Sequence, residues 1–282
     1  MATVTSSPAS QRAAGSAKRD WLAEVQSILK PKPAAIIDYG LPGIGKSSFA
    51  AFAPEPVFLI DALEDRINLL IATGQVPKTV KVLPPYRSWE ELLDQLDYLA
   101  TEDRGKTLVL DTLGGAERAC HEHTITKVYN GERGEKGFGG FQRGYEAALP
   151  YWREMLNKID RLRTERGMRF IGLAHANIGN FKNPEAEDFG RYVPNLDKRT
   201  WAATSQWADA VLFSNYHITA AKEGKQAAKG KGGDARFFNA QWNAAYEAKN
   251  CFNLPPAIPM GDSGEEAWNN LVEAIKAGRK DA

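Results

Sequence analysis

The feature that most restricts the fold of this chain is a glycine-rich turn between an apolar strand and a helix. Ala34 to Tyr39 (AAIIDY) is a short apolar run, and GLPGIGKS follows at residues 40–47. The small-residue stretch Lys46 to Phe52 is expected to be helical and ends before Pro54. The turn matches the pattern GxxxxGK[ST], in which glycines let backbone N–H groups surround phosphate oxygens. The sequence therefore predicts a phosphate-binding loop, although an ordinary glycine-rich turn would also join a strand to a helix.

The residue types in this loop predict a nucleotide site. Lys46 is expected to reach the terminal phosphates, and the Ser47 hydroxyl is expected to bind Mg²⁺. Asp111 ends the apolar strand Thr107 to Leu110 and is predicted to hold the same ion, rather than merely to begin a turn. ATP and Mg²⁺ are therefore the expected cofactors, with Ser47 and Asp111 as the metal site. The predicted nucleotide contacts are Gly40, Pro42, Gly43, Ile44, Gly45, Lys46, Ser47 and Ser48.

Further candidate catalytic residues follow other predicted strands. Asp61, Glu64 and Asp65 come after the strand at residues 57–60, and any one of them could orient an attacking water or simply begin a helix. Glu64 is chosen as the catalytic acid, beside Lys46 and Asp111. His175 follows the strand at residues 169–174, where it could sense the terminal phosphate or be structural.

Strands alternate with helices along most of the chain. This pattern predicts an α/β fold with a mostly parallel central sheet covered on both faces. Beyond residue 205 strands follow one another directly, which predicts antiparallel strands at the sheet edge. The predicted strands after residue 61 are Val80–Leu83, Thr107–Asp111, Arg169–Ala174, Ala208–His217, Ala235–Ala240 and Ala245–Lys249; the predicted helices after Phe52 are Trp89–Ala100, Ala116–Tyr129, Arg143–Arg166 and Ala267–Ala277.

Composition excludes several classes of protein. The net charge of +1 gives no global basic field, and Cys120 and Cys251 are too few and too far apart for a disulfide framework. No apolar run approaches the roughly 20 residues that span a bilayer, so no membrane partner is expected and a cytoplasmic location is predicted. Residues 1–18 are predicted to be a disordered tail, and residues 19–282 a single domain that begins with a helix at residues 20–29.

Several segments, in their order, resemble the RecA-like P-loop ATPases. The resemblance is strongest to phage-encoded nucleotide-binding proteins linked to single-strand annealing and recombination, and it covers roughly residues 33 to 260. It implies a RecA-like P-loop NTPase core with an ATP site at the subunit interface of a ring or filament. The segments are GLPGIGKSS (40–48), PEPVFLIDALED (54–65), TLVLDT (107–112), RFIGLAHA (169–176), WADAVLF (207–213) and AYEAKNCFNLPPAIP (245–259).

The resemblance also implies roles for single residues. His175 matches the polar sensor after the fourth core strand, and Lys249 matches a lysine that reaches the terminal phosphate in a neighbouring subunit. Two positions depart from the family pattern: Leu63 stands where a catalytic glutamate is common, and Cys251 stands where a second basic residue is common. ATP hydrolysis is therefore expected to be slow.

Two segments are candidates for contact with single-stranded DNA. Residues 129–143 combine glycines, cations and aromatic rings, and residues 177–195 follow His175; relatives carry DNA loops at these places. Both segments are equally typical of ordinary surface loops. A lysine-rich stretch at residues 221–234 is predicted to be a mobile hairpin tip, either an arm for nucleic acid or a solvated turn. The predicted DNA contacts are Arg133, Lys136, Phe138, Phe141, Arg143, Phe181, Lys182, Arg191 and Tyr192.

The leading hypothesis is an oligomeric ATPase that binds single-stranded DNA and assists annealing or recombination. A single-stranded-DNA-binding protein is a further expected partner. The alternative is an ATP-gated assembly or regulatory ATPase whose loops bind protein. A small-molecule kinase is less favoured, because it would need a lid with several arginines.

Overall fold

The computed structural model describes residues 20–21, 31–221 and 229–280. At residues 218–221, 229–232 and 280 it describes the backbone alone. The chain divides into two units, Met1–Lys32 and Pro33–Ala282. The predicted tail at residues 1–18 and most of the first predicted helix lie outside the described residues. So do residues 222–228 of the predicted hairpin tip. The description below concerns the second unit.

The second unit contains strands and helices in alternation, followed by a strand-rich segment. The strands are β1 (Ala35–Gly40), β2 (Pro56–Ile60), β3 (Lys81–Val82), β4 (Thr107–Asp111), β5 (Arg169–Phe181), β6 (Phe189–Pro194), β7 (Ala210–Ala221), β8 (Lys229–Asn239), β9 (Lys249–Asn250) and β10 (Ala257–Pro259). The helices are α1 (Lys46–Ala50), α2 (Arg66–Ala72), α3 (Trp89–Thr101), α4 (Leu113–Tyr129), α5 (Arg143–Glu165), α6 (Lys198–Trp207) and α7 (Gly264–Lys280), with a 3₁₀ turn at Gly140–Gln142.

The sheet confirms the predicted fold class. Its strand order is β10-β8-β7-β1-β5-β4-β2-β3, with β6 paired to β5 and β9 paired to β7. The central strands β7, β1, β5, β4, β2 and β3 are parallel, whereas β8 and β10 add antiparallel strands at one edge. Because β5 lies between β1 and β4, the carboxyl ends of these three strands meet at one edge of the sheet.

Two apolar layers cover the sheet. Every residue of β1, β2 and β4 is buried, as expected for parallel strands with helices on both faces. On one face α3, α4, α5 and α6 pack around Trp89 and Trp152, whose rings stack 6.3 Å apart. On the other face α1 and α7 pack around Phe49 and Phe238, whose ring centroids are 5.0 Å apart.

The strands and helices near the edge depart from the sequence prediction. The segment predicted as a loop at residues 177–195 is mostly a β-hairpin, because β5 continues to Phe181 and pairs antiparallel with β6. Paired side chains such as Phe181 and Phe189 supply the cross-strand contacts that stabilise such a hairpin. The prediction of a strand at residues 245–249 is wrong. Of this segment only Lys249 lies in a strand (β9), and the chain just before it makes a turn. Short elements with little periodicity (α2, α6 and β10) were not predicted.

Helix α7 packs directly against α1. A Cβ atom added to Gly264 would lie 2.5 Å from the backbone oxygen of Ser48, so only glycine allows this approach. Ala267 and Leu271 of α7 are buried in the same apolar layer as Phe49. Across the part of the chain that the structure describes, no helix combines the length and the apolar character needed to cross a membrane.

Candidate nucleotide site

The predicted phosphate-binding loop joins β1 to α1 at the carboxyl edge of the sheet. Gly40 leaves no room for a side chain, because a Cβ atom there would lie 2.3 Å from the backbone oxygen of Ser214 on β7. Gly45 has a φ of 106°, a left-handed conformation that disfavours other residues. The loop therefore requires glycine at both places, as the motif predicts.

Lys46 lies at the centre of this loop. Its Nζ donates hydrogen bonds to the backbone oxygens of Gly40 (3.0 Å) and Leu41 (2.9 Å), and its side chain is buried. Burial lowers the pKa of Lys46, although Asp38 and Asp111 oppose that shift. The ammonium group is thus held over the loop by carbonyl oxygens with which a phosphate would compete.

Ser47 and Asp111 are brought together as predicted. The Ser47 hydroxyl donates a 2.6 Å hydrogen bond to Oδ2 of Asp111, at the end of β4. Burial raises the pKa of Asp111 to about 6, opposed by the hydrogen bond from Ser47 and with a further increase from Glu64. A hydroxyl and a carboxylate are the oxygen donors that Mg²⁺ prefers. These two residues therefore fit the predicted ion, which would supply charge stabilisation for the phosphates of a bound nucleotide.

Thr112 fixes the backbone just after Asp111. Its side chain accepts a hydrogen bond from the N–H of Gly115 and so caps the N-terminus of α4. The turn from β4 into α4 begins immediately after the predicted metal ligand.

Of the three acids that follow β2, Glu64 is the one that contacts another predicted site residue. Its Oε1 lies 3.7 Å from Nε2 of His175, and its charge acts on Lys46 and Asp111. Burial and the charge of Lys46 lower the pKa of His175, which favours the neutral imidazole, while the charge of Glu64 opposes that shift. The two predicted residues lie together beside Lys46, in a position to orient a water molecule; their roles remain predictions.

The other two acids are engaged elsewhere. Asp61 accepts a 2.6 Å hydrogen bond from Nη2 of Arg118 and a 3.0 Å bond from the N–H of Leu63. Asp65 is exposed and accepts a hydrogen bond from Asn68 on α2. These partners agree with the choice of Glu64 over Asp61, which stays a prediction.

A buried carboxylate lies directly behind the loop. Asp38, in the middle of β1, is 0% exposed; its Oδ1 accepts a 2.6 Å hydrogen bond from Ser214, and its Oδ2 has no hydrogen-bond partner among the described residues. Burial raises the pKa of Asp38 from 3.8 to about 7, opposed by the Ser214 hydrogen bond and the charge of Lys46. Sequence reasoning treated this residue only as part of an apolar strand.

Two arginines near the site were also missed. Arg66, the first residue of α2, lies close enough for its charge to act on Lys46, Asp111 and His175. Arg236 of β8 donates to the backbone oxygen of Ile44 at 3.2 Å and to that of Gly261 at 2.6 Å. Arg66 could have been found from the sequence because it lies two residues after the candidate acid Glu64. Arg236 could not, because nothing in the sequence around it indicates a contact with the phosphate-binding loop.

Lys249 does not reach the nucleotide loop of its own chain. Its Nζ donates hydrogen bonds to the backbone oxygens of Ser205 (3.1 Å), Gln206 (2.8 Å) and Ala208 (2.6 Å) at the C-terminal end of α6. A lysine in this place stabilises the helix terminus. To contact a neighbouring subunit it would have to leave these oxygens, so its predicted role remains a prediction.

The first predicted DNA segment is a compact loop. Hydrogen bonds link the N–H of Phe138 to the oxygen of Glu132 and the N–H of Gly139 to the oxygen of Arg133. Phe138 is 6% exposed and packs on Tyr145, so it anchors the loop and has little surface for bases.

The remaining predicted contacts of this loop are exposed. The side chain of Phe141 is 95% exposed, and Lys136 and Arg143 are also exposed. Arg133 forms a bidentate pair with Glu122, at 2.6 and 2.5 Å. The loop thus presents an exposed aromatic ring and two exposed cations, Lys136 and Arg143, to solvent.

The second predicted DNA segment offers fewer free groups. Arg191 is 5% exposed and its guanidinium lies 5.1 Å from the ring centroid of Phe181. Lys182 pairs with Asp188 at 2.5 Å, and Tyr192 stacks on Phe213 with centroids 4.9 Å apart. Of the four predicted contacts here, Lys182 alone is exposed; Phe181 and Tyr192 are partly buried and Arg191 is buried.

Comparison with known proteins supports the nucleotide site. A family model described as an AAA domain matches residues 32–252, which include the phosphate loop, Asp111 and the strands from β1 to β9. No curated protein matches the chain. The match spans most of the chain and the loop geometry is the one that such a nucleotide-binding domain requires. The chain therefore belongs to the AAA-domain family of P-loop ATPases.

Proposed function

We propose that this ATPase binds single-stranded DNA as an oligomer and assists annealing or recombination, with slow hydrolysis of ATP. The observation that carries the proposal is the presentation of Phe141. This residue is 95% exposed and has a φ of 49°, and Gln142 beside it has a φ of 58°. Positive φ angles at consecutive non-glycine residues cost free energy, and such outliers cluster at binding sites.

The surroundings of Phe141 suit a flexible anionic strand. Lys136 and Arg143 are exposed in the same loop and can neutralise phosphates, while an exposed ring can stack on a base of any sequence. The loop joins α4, which begins directly after Asp111, to α5. A DNA strand bound to this loop would therefore be linked to the nucleotide site through the single helix α4.

Slow hydrolysis is proposed from the position of the catalytic acid. Leu63 is 80% exposed and stands where the related ATPases commonly carry glutamate, while Glu64 next to it faces His175. ATP would then serve chiefly to assemble a ring or filament.

Exposed apolar side chains favour the second candidate, an assembly ATPase without nucleic acid. Leu63 is 80% exposed and Ile178 is 68% exposed. Leu63 adjoins Glu64, so a neighbouring protein that covered Leu63 would lie beside the candidate nucleotide site. In this candidate the loops contact protein instead of DNA.

Anisotropy of a labelled oligo-dT, measured with and without ATP and Mg²⁺, tests the proposal. Wild type is compared with Lys46→Ala, with Phe141→Ala, and with the control Tyr98→Ala, which removes a partly exposed ring from α3. Binding that requires nucleotide, weakens steeply with salt and falls by about 5- to 100-fold in Phe141→Ala supports it, since a stacked base contributes about 1–3 kcal/mol. If no strand binds at low salt in any nucleotide state, the assembly ATPase is the better account.

A further inference from the structure

A cleft of about 680 Å³ opens at Asp61 and Leu63, in the turn that also carries Glu64. Its walls come from the turn after β2, the start of α3 and the outer face of α4. This volume is in the range of small-molecule sites. None of the residues assigned above to nucleotide binding lines it, so it is a separate feature of the same sheet edge.

Three residues in the wall carry buried polar atoms that make no hydrogen bond with any described residue. These atoms are the Tyr86 hydroxyl, Nε1 of Trp89 and Nε2 of His121. Tyr86 and Trp89 are each 1% exposed. Buried polar groups are almost always paired, because an unmade hydrogen bond costs free energy. Two of these atoms, the Tyr86 hydroxyl and Nε1 of Trp89, are hydrogen-bond donors without an acceptor, which indicates a place where a ligand supplies acceptors.

The charges around the cleft also favour a ligand that accepts hydrogen bonds. Each of its three carboxylates already has a partner: Asp61 pairs with Arg118 (2.6 Å) and Glu122 with Arg133 (2.5 Å), and Glu90 contacts the imidazole of His123 (2.9 Å). Arg87 also lines the cleft, and its guanidinium has no partner among the described side chains. The side chain of Arg118 is 51% exposed, so an incoming anion can reach it.

Arg118 connects the cleft to the predicted catalytic acid. It binds Oδ2 of Asp61, whose Oδ1 accepts from the N–H of Leu63, and the N–H of Glu64 bonds to the backbone oxygen of Asp61. A group that drew Arg118 away from Asp61 would therefore act on the turn that carries Glu64.

We infer that this cleft binds a phosphate-bearing ligand that competes with Asp61 for Arg118. Tyr86 and Trp89 donate hydrogen bonds to the ligand, and Arg87 and Arg118 bind its charge. The phosphate comes either from a free nucleotide or from a single strand; only the second source depends on the proposed function.

The test uses the full chain saturated with Mg²⁺ and a non-hydrolysable ATP analogue, so that the phosphate loop is filled. Calorimetric titrations with dTMP and, separately, with oligo-dT are made on wild type, Tyr86→Phe, Arg118→Ala and the control Arg161→Ala. Arg161 is an exposed arginine of α5 paired with Glu165, and it does not line the cleft. Urea unfolding of each variant checks the fold.

We expect Tyr86→Phe to weaken binding by about 3- to 10-fold and Arg118→Ala by about 10-fold or more, as for loss of a neutral and of a charged hydrogen bond. Arg161→Ala should bind as wild type does. The urea midpoint of Tyr86→Phe should be unchanged or higher, since the hydroxyl has no partner to lose. This combination separates a ligand-binding hydroxyl from a structural one.

The two probes separate the two proposals. Binding of dTMP with the expected variant pattern supports the cleft even when oligo-dT does not bind, in which case the proposed function fails alone. Binding of oligo-dT with that pattern identifies the strand as the source of phosphate. Binding of oligo-dT that is indifferent to Tyr86→Phe and Arg118→Ala overturns the cleft assignment and leaves the proposed function standing. Failure of both probes to bind overturns the assignment as well.

Discussion

Replacing Asp38 by asparagine should change how the stability of the protein depends on pH. The carboxyl is fully buried, and the asparagine side chain has nearly the same shape and can still accept the hydrogen bond from Ser214. Burial raises the pKa of Asp38 in the folded protein from 3.8 to about 7, so the native state holds this proton more tightly than the unfolded chain does. The resulting stabilisation is fully present below pH 3.8 and is lost as the pH rises to about 7.

The size of the effect follows from these two pKa values. One pKa unit corresponds to about 1.36 kcal/mol, so the interval from 3.8 to about 7 is worth on the order of 4 kcal/mol. Asparagine cannot ionise and carries no such cost. Relative to wild type, the free energy of unfolding of Asp38→Asn should therefore rise by on the order of 4 kcal/mol between about pH 4 and pH 8.

Urea unfolding of the nucleotide-free protein at several pH values measures this difference. The matched control Asp94→Asn removes one exposed carboxylate on α3 and so corrects for the change in net charge. A constant difference between Asp38→Asn and wild type from pH 4 to pH 8 would refute the reasoning, because it would mean that the buried carboxyl titrates alike in the folded and unfolded chains.

Three further results are expected. Ser47→Ala should raise the Mg²⁺ concentration needed for half-maximal nucleotide binding by about 10-fold, because it removes a hydroxyl ligand and the partner of Asp111. Titration of Mg²⁺ in the presence of a fluorescent ATP analogue measures this concentration. An unchanged titration curve would exclude Ser47 as a metal ligand. Gly45→Ala should lower the free energy of unfolding by more than the roughly 1 kcal/mol expected for Gly74→Ala, although both glycines have positive φ. The new Cβ of Gly45→Ala would lie 2.8 Å from Nη1 of Arg236, and moving this guanidinium breaks its hydrogen bonds to Ile44 and Gly261. Equal losses of the two variants in urea unfolding would contradict this reasoning. Glu64→Gln should reduce ATP turnover by about 100-fold, as for loss of a general base, while nucleotide affinity changes by no more than a few-fold. A steady-state phosphate-release assay measures the turnover. Normal turnover in this variant would exclude Glu64 as the residue that activates water.

The fold class and the centre of the site were predictable from sequence because each depends on local patterns. Apolar runs fixed β1, β2 and β4 nearly to the residue, and the glycine spacing located Lys46 and Ser47. The position of Asp111 was predictable because a carboxylate that ends a buried parallel strand lies at the ligand edge of the sheet, while its role in holding Mg²⁺ stays a prediction. In each case one short segment carried both the structure and the chemistry.

The parts that could not be predicted depend on contacts between distant segments. Arg236 reaches Ile44 only because β8 is added to the sheet edge, and Asp61 is engaged by Arg118 on the distant helix α4. Lys249 resembled a residue that acts on a neighbouring subunit, yet its nearest acceptors are the carbonyl oxygens that end α6. Tertiary partners of this kind leave no periodic signal in the sequence.

The packing of α7 on α1 has a consequence for biosynthesis. Gly264 lies against Ser48, and the apolar layer that buries Phe49 includes Ala267 and Leu271. A nascent chain that has emerged from the ribosome only as far as β10 would carry the whole phosphate loop, but the helix behind that loop would still lack this cover. We therefore expect the loop and its helix to gain their final packing only once α7 has left the exit tunnel.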